Sequence, residues 1–329
     1  MAASSCILLT AMTPNESSHG RAIGLMPHGQ AGLLIIFLAE ALLFSGNQIV
    51  GRWFTPIVWT GYVLFVDALV HRIKGRSLLV NNRAEFLIVA VISIAGWWLF
   101  ELYNAPRFWD SDLELWWHYH NLEPNPFLRR VGYDWAFATI SPALFETAEL
   151  FGATSFSRFK STRPVKLSRG SLYFMIAIGC VSAALPLFVI STWLVPLVWL
   201  GLILMLDPIN ALRGNPSITG DILRGDYQRL LALLASGGLC GLLWEFWNYW
   251  ALTKWTYTVP YFGNVKMFEM PVLGYLGFSP FAVECWAMYV LIRGWGLGVG
   301  GWSDLDIAYA CSAAQPLTPN PHPPTQNAR

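Results

Sequence analysis

The chain has 329 residues, of which 55% are hydrophobic and 12% charged, with a net charge of +1. A soluble domain carries about 25% charge, so this composition excludes an ordinary soluble protein and reads as an all-α, multi-pass integral membrane protein. The near-zero net charge gives no signal for nucleic acid or for an acidic partner.

Residues 1–29 lack the basic start, apolar core and small-residue cleavage site of a signal peptide, and CILLTAM is too short to span. They read as a disordered cytoplasmic tail. Candidate spans follow at 30–47, 53–70, 86–103, 135–152, 171–189, 192–209, 229–251 and 275–293, since about 20 apolar residues cross a bilayer. The end, 306–329, is Pro-rich and polar and reads as a second disordered tail.

The loops orient these about eight helices. Loop 71–83 holds His71, Arg72, Lys74, Arg76 and Arg83, and loop 153–170 holds Arg158, Lys160, Arg163, Lys166 and Arg169 without an acid. Loop 104–134 is acidic and aromatic. Lys/Arg excess marks the cytoplasmic side, which places both termini there and the protein in a bacterial inner (plasma) membrane. The 17 Trp and 12 Tyr suit the membrane interfaces.

An internal repeat is visible. FTPIVWTGYVLFVD (54–67) aligns with LVPLVWLGLILMLD (194–207), so that Pro56, Val58, Trp59, Gly61, Leu64 and Asp67 recur 140 positions later. Next, Glu101 and Asn104 recur as Glu245 and Asn248, then Trp117 and Tyr119 as Trp255 and Tyr257. Last, Ser141-Pro142 with Glu146 recur as Ser279-Pro280 with Glu284. Sparse polar motifs in one order at near-constant spacing point to duplication. The fold class is therefore two parallel four-helix tandem repeats, 30–167 and 168–305, because an even number of spans enters each copy in the same direction.

Intramembrane acids are costly and mark sites or helix contacts. Glu245 lies about 16 residues into its span, roughly 24 Å at 1.5 Å per residue. Glu and Asn at i, i+3 share a face, where the amide can donate to the carboxylate. Ser279-Pro280 has two readings, a kink in a helix already begun near Leu276 or, as preferred here, a cap at Ser279 with Pro280 opening the last helix. Glu101, Glu146, Glu245 and Glu284 are thus the candidate catalytic residues. Asn104, Asn248, Trp117, Tyr119, Trp255 and Tyr257 are the candidate binding residues.

Other features have plainer readings. Asp67 and Asp207 read as helix-end ion pairs with loop arginines. Glu40 and Glu149 have no repeat mate and read as cavity-facing or helix-pairing. His118 and His120, near Asp110, Asp112, Glu114 and Glu123, show no recognised ligand spacing, and Thr256 and Thr258 replace them in the second copy; no metal or other cofactor is expected. The five cysteines, Cys6, Cys180, Cys240, Cys285 and Cys311, form neither a disulfide frame nor a zinc site. GWGLGVGG (294–301) reads as a flexible exit or a short reentrant turn rather than a phosphate loop.

The Pro142/Glu146 and Pro280/Glu284 pairs resemble those of the small membrane lycopene cyclases of bacteria and archaea, which are also tandem repeats with intramembrane acids after a Pro. That family places paired acids directly after the Pro, whereas three residues intervene here. The resemblance implies protonation-initiated cyclisation of a polyene. The chain is also similar to uncharacterised multi-pass bacterial membrane proteins, which imply no activity. Three classes of function stay open: an intramembrane acid/base enzyme on a membrane lipid, isoprenoid or carotenoid, a proton- or cation-coupled transporter or channel, and a structural subunit.

Overall fold

The computed structural model describes residues 24–105, 116–157, 162–189, 191–258 and 263–296. The tails 1–23 and 306–329, the acids Asp110, Asp112 and Glu114, and most of the glycine-rich exit lie outside the described residues. The protein is mostly helical, and seven helices are long and apolar enough to cross a membrane. They are α1 (Pro27–Phe44), α3 (Phe54–Lys74), α5 (Arg83–Asn104), α8 (Arg169–Phe188), α9 (Val195–Leu212), α11 (Gln228–Trp250) and α12 (Tyr275–Gly296). Short helices α2 (Gln48–Arg52), α4 (Leu78–Asn81) and α10 (Ile218–Arg224) lie between them.

The eighth expected span, 135–152, is corrected. It is divided at Thr139 between α6 (Pro126–Ala138) and α7 (Ile140–Ala153). Pro142 lacks an N–H and cannot continue a regular helix from α6. Ser93 of α5 occupies the break: its hydroxyl donates to the Phe137 carbonyl at 2.5 Å and accepts from the Ser141 N–H at 2.9 Å. A freed backbone group at membrane depth needs such a partner. From Ile140 to Glu149 every residue of α7 is buried, so the helix is sheathed in protein and needs no apolar exterior.

The cap expected at Ser279 is also corrected, because α12 begins at Tyr275 and runs through Pro280. Its first turn is pressed against α11. A Cβ on Gly237 would lie 2.2 Å from the Phe278 carbonyl oxygen, and one on Gly241 2.2 Å from the Phe278 ring. Small residues four apart permit such close helix approach.

Helices α7 and α12 form the centre. The first packs on α3, α5 and α11, the second on α5, α9 and α11, and the two touch each other. Phe281–Leu291 of α12 is buried throughout. Two outer pairs flank this centre, α1 with α3 and α8 with α9. Gly32 and Gly61 close the first pair and Gly179 and Gly201 the second; a Cβ on Gly32 would lie 2.5 Å from the Gly61 oxygen, and one on Gly179 2.7 Å from the Gly201 oxygen. The outer faces of α1 and α8 carry exposed Phe37 and Phe174.

The W-x-Y stretches, expected as loop, are strands. β1 (Trp117–His120) and β2 (Lys254–Tyr257) pair antiparallel, with Trp117 opposite Tyr257 and Tyr119 opposite Trp255. A second small ladder joins β3 (Lys266–Met267) to β4 (Met270–Pro271).

Asp67 and Asp207 are held differently from the expected ion pairs. Asp67 accepts from the Leu79 N–H at 2.9 Å and the Ser77 hydroxyl at 2.8 Å, and lies 3.0 Å from His28 Nε2. Asp207 accepts from the N–H groups of Ile218 and Thr219 at 2.8 and 2.7 Å. Each carboxylate satisfies donors at the start of the next short helix, α4 or α10, where backbone N–H groups have no intrahelical partner.

Candidate functional site

Helices α3, α9 and α12 begin, and α5 and α11 end, on one side of the molecule. Between these ends and the β1–β2 ladder lies a cavity of about 500 Å³. Its wall is almost wholly apolar and rich in rings, with Trp59, Trp97, Trp199, Trp244 and Phe281 at its heart. These rings hold one another: Trp97 stacks on Trp244 at 5.5 Å, and Trp199 meets Phe281 edge-on at 5.2 Å. Leu200 and Leu276 line the cavity and are also exposed, so α9 and α12 leave an apolar side opening.

The ladder supplies the polar part of the wall. Tyr119 and Tyr257 both line the cavity, and each points its hydroxyl at a glutamate behind it. Tyr119 donates to Glu101 Oε1 at 2.5 Å, and Tyr257 donates to Glu245 Oε1 at 2.6 Å. Glu101 also accepts from the indoles of Trp97 at 3.0 Å and Trp117 at 3.3 Å. On β2, Trp255 donates to the Tyr257 oxygen at 2.6 Å. Glu245 is fully buried, and its Oε2 has no hydrogen-bond partner among the described residues. Burial, followed by the adjacent glutamate, pushes both phenols well above their ordinary range, so they stand as neutral donors.

The asparagines, expected to orient the carboxylates, bond to strand backbone. Asn104 donates to the Trp117 carbonyl at 2.9 Å and accepts from the Trp116 N–H at 2.9 Å. Asn248 donates to the Trp255 carbonyl at 2.8 Å and accepts from the Trp255 N–H at 2.9 Å. They fasten the ladder to the ends of α5 and α11, and so set where the tyrosines point.

Of the ten candidate residues, Trp117, Tyr119, Trp255 and Tyr257 line the cavity, and Glu101 and Glu245 stand one hydrogen bond behind it. Glu146 and Glu284 lie elsewhere. Phe281 is part of the cavity wall, and Glu284 sits one turn further along α12. Both carboxylates are fully buried, and neither oxygen of either has a hydrogen-bond partner among the described residues.

Trp59, Trp97, Trp199 and Trp244 were not among the candidates. Trp59 and Trp199 were visible as repeated positions, but nothing local marks a repeated tryptophan as facing a cavity. Glu40 accepts from the Trp247 indole at 3.0 Å and Glu149 pairs with Lys74, so both join helices. His118 and His120 hydrogen-bond Thr258 and Thr256 across the ladder at 2.9 and 2.8 Å. Among the described residues no cluster of His, Cys, Asp or Glu could hold a metal ion.

Comparison with family models, with curated proteins and with solved structures finds no match, so function is argued from the cavity and the groups around it.

Proposed function

We propose that the protein is an intramembrane acid–base enzyme acting on an isoprenoid-type lipid in the bacterial inner membrane. One observation carries this reading: a large aromatic cavity in which two wall tyrosines each donate to a buried glutamate. An apolar pocket with few convergent polar groups is the usual form of a site for an apolar small molecule. The proposal includes two parallel four-helix repeats with both termini cytoplasmic. The 117–257 and 119–255 pairing and the matching Tyr–Glu and Asn–backbone bonds support such an internal two-fold relation.

The chemistry is proton transfer without redox change. In one dyad a proton passes from the Tyr257 hydroxyl to an alkene carbon, whose π electrons form the new C–H bond. The phenolate is reprotonated by Glu245, which enters the cycle as the neutral acid, needs no counter-charge in that form and turns its carboxyl to deliver the proton to the Tyr257 oxygen. The carbocation lies among indole faces, whose negative quadrupole attracts positive charge. Loss of a neighbouring proton to the Tyr119–Glu101 dyad restores a double bond, and exchange with water after product release takes the proton from that dyad and returns one to Glu245. The net reaction is isomerisation or cyclisation, the class that the resemblance to lycopene cyclases also implies.

Expression in a carotenoid- and isoprenoid-producing host, followed by mass spectrometry of its lipids, tests this. A new isomer should appear with the native chain and vanish with Glu245→Gln or Tyr257→Phe. Identical lipid profiles with and without the native chain would overturn it.

A proton- or cation-coupled transporter is the second reading, favoured by the buried carboxylates of Glu146 and Glu284 in the two central helices, which have no hydrogen-bond partner among the described residues. Acids at such depth often carry protons. Proton-dependent solute uptake into proteoliposomes, lost in Glu146→Gln and Glu284→Gln, would establish it in place of the first.

A further inference from the structure

The charged groups of the cavity wall, apart from the ladder tyrosines and their glutamates, lie together at one edge. There Arg52, from the end of α2, and Arg129, from α6, join Glu123 in the wall. A guanidinium carries five N–H donors and no acceptor. Arg52 makes one long contact, Nη1 to Glu123 Oε2 at 3.4 Å, and its Nε is buried with no hydrogen-bond partner among the described residues. Arg129 spends two donors on the carbonyls of Glu123 and Pro124, at 3.0 and 3.1 Å. Two permanent positive charges therefore stand beside one carboxylate, and several donors are left over among the described residues at this edge of the aromatic cavity.

A headless hydrocarbon would leave the buried Arg52 Nε without an acceptor. A phosphate-class anion would take the donors left over, since planar guanidinium groups bind such oxygens in pairs. The arginines also sit at the level of the helix ends, where lipid head groups lie. We infer that the cavity takes an amphipathic lipid, with an anionic phosphate-class head on Arg52 and Arg129 and an isoprenoid-like tail between the tryptophans. This rests on the apolar-ligand reading of the cavity and narrows it to a headed substrate.

The test uses the full chain purified in an uncharged detergent, with tryptophan fluorescence reporting occupancy. Three probes are compared: geranylgeranyl phosphate, geranylgeraniol and inorganic phosphate. The phosphorylated lipid should bind best. Arg52→Gln and Arg129→Gln should each weaken it by roughly tenfold or more while leaving the alcohol unchanged, as expected for loss of a charged hydrogen bond. Arg52→Lys, which keeps the charge, should retain most of the preference. If Arg52→Gln does not fold, Arg129→Gln carries the comparison. Equal affinity for alcohol and phosphate, unaffected by either variant, overturns the head-group site and leaves the apolar cavity standing. An equal response to inorganic phosphate alone overturns the amphiphile in favour of a free-anion site. No response to any probe overturns both readings.

Discussion

Tyr257 donates its hydroxyl to Oε1 of the fully buried Glu245, whose Oε2 has no hydrogen-bond partner among the described residues. Replacing Tyr257 by Phe keeps the ring and strands the carboxyl, at a cost of about 1–3 kcal/mol for a buried group left unsatisfied. Tyr119→Phe should cost less, because Trp97 and Trp117 still donate to Glu101. Thermal unfolding of the two variants in detergent would rank them. On the opposite side of the molecule, Asp221 in α10 pairs with Arg224 and with Arg229, the latter at 2.9 Å. Burial nonetheless raises its carboxyl to about 6, outweighing the two arginines. Between its ordinary value near 4 and about 6 the folded chain holds a proton that the unfolded chain has lost. Stability from this group is therefore full below pH 4 and falls as pH rises to 6. Asp221→Asn should remove that fall, which melting curves between pH 4 and 7 would show. The Glu and Asn spacing was legible in the sequence. Their true partners, a tyrosine and strand backbone, were not, because both depend on where β1 and β2 lie.

The two proline helices show how one motif gives two elements. Ser141-Pro142 follows a break, while Ser279-Pro280 lies inside α12. The difference resides on the neighbouring helix. Ser93 on α5 bridges the break with its hydroxyl, and Gly237, which stands 144 positions later like Glu245 after Glu101, presses bare backbone on Phe278. Gly237→Leu should therefore drive α12 off α11, costing about 1–3 kcal/mol or more for overpacking. Gly277→Ala, with open space at its Cβ, should be neutral or stabilising by up to about 1 kcal/mol. Melting temperatures of these two variants separate a packing requirement from a general dislike of change in α12. No sequence pattern distinguishes the two prolines, since the deciding residues lie more than 40 positions away in each case.

At the scale of the whole molecule, α7 and α12 are enclosed by protein and α1 and α8 face outward. Hydropathy finds the outer helices readily, but the apolar stretch 135–152 does not reveal that α7 is a separate 14-residue helix enclosed by protein. The basic loops and the β1–β2 ladder lie at opposite ends of the helices. On a cysteine-free background, Arg76→Cys should react with a membrane-impermeant maleimide only after permeabilisation, and His120→Cys should react in intact spheroplasts. The reverse pattern would invert the orientation read from the loops.

Composition alone determined that this chain carries several helices apolar enough to cross a membrane, because the free energy of burying apolar helices in lipid is a local sum along the sequence. The repeated motifs likewise named Glu101, Glu245, Tyr119 and Tyr257 before any contact was known. Only the tertiary structure decided that the tyrosines, not the acids, face a cavity, and that one expected span is broken at Thr139. Trp59, Trp97, Trp199 and Trp244 come from four different helices spread over 185 residues of chain. A cavity wall is a property of how such distant rings meet, and no stretch of sequence holds that information by itself.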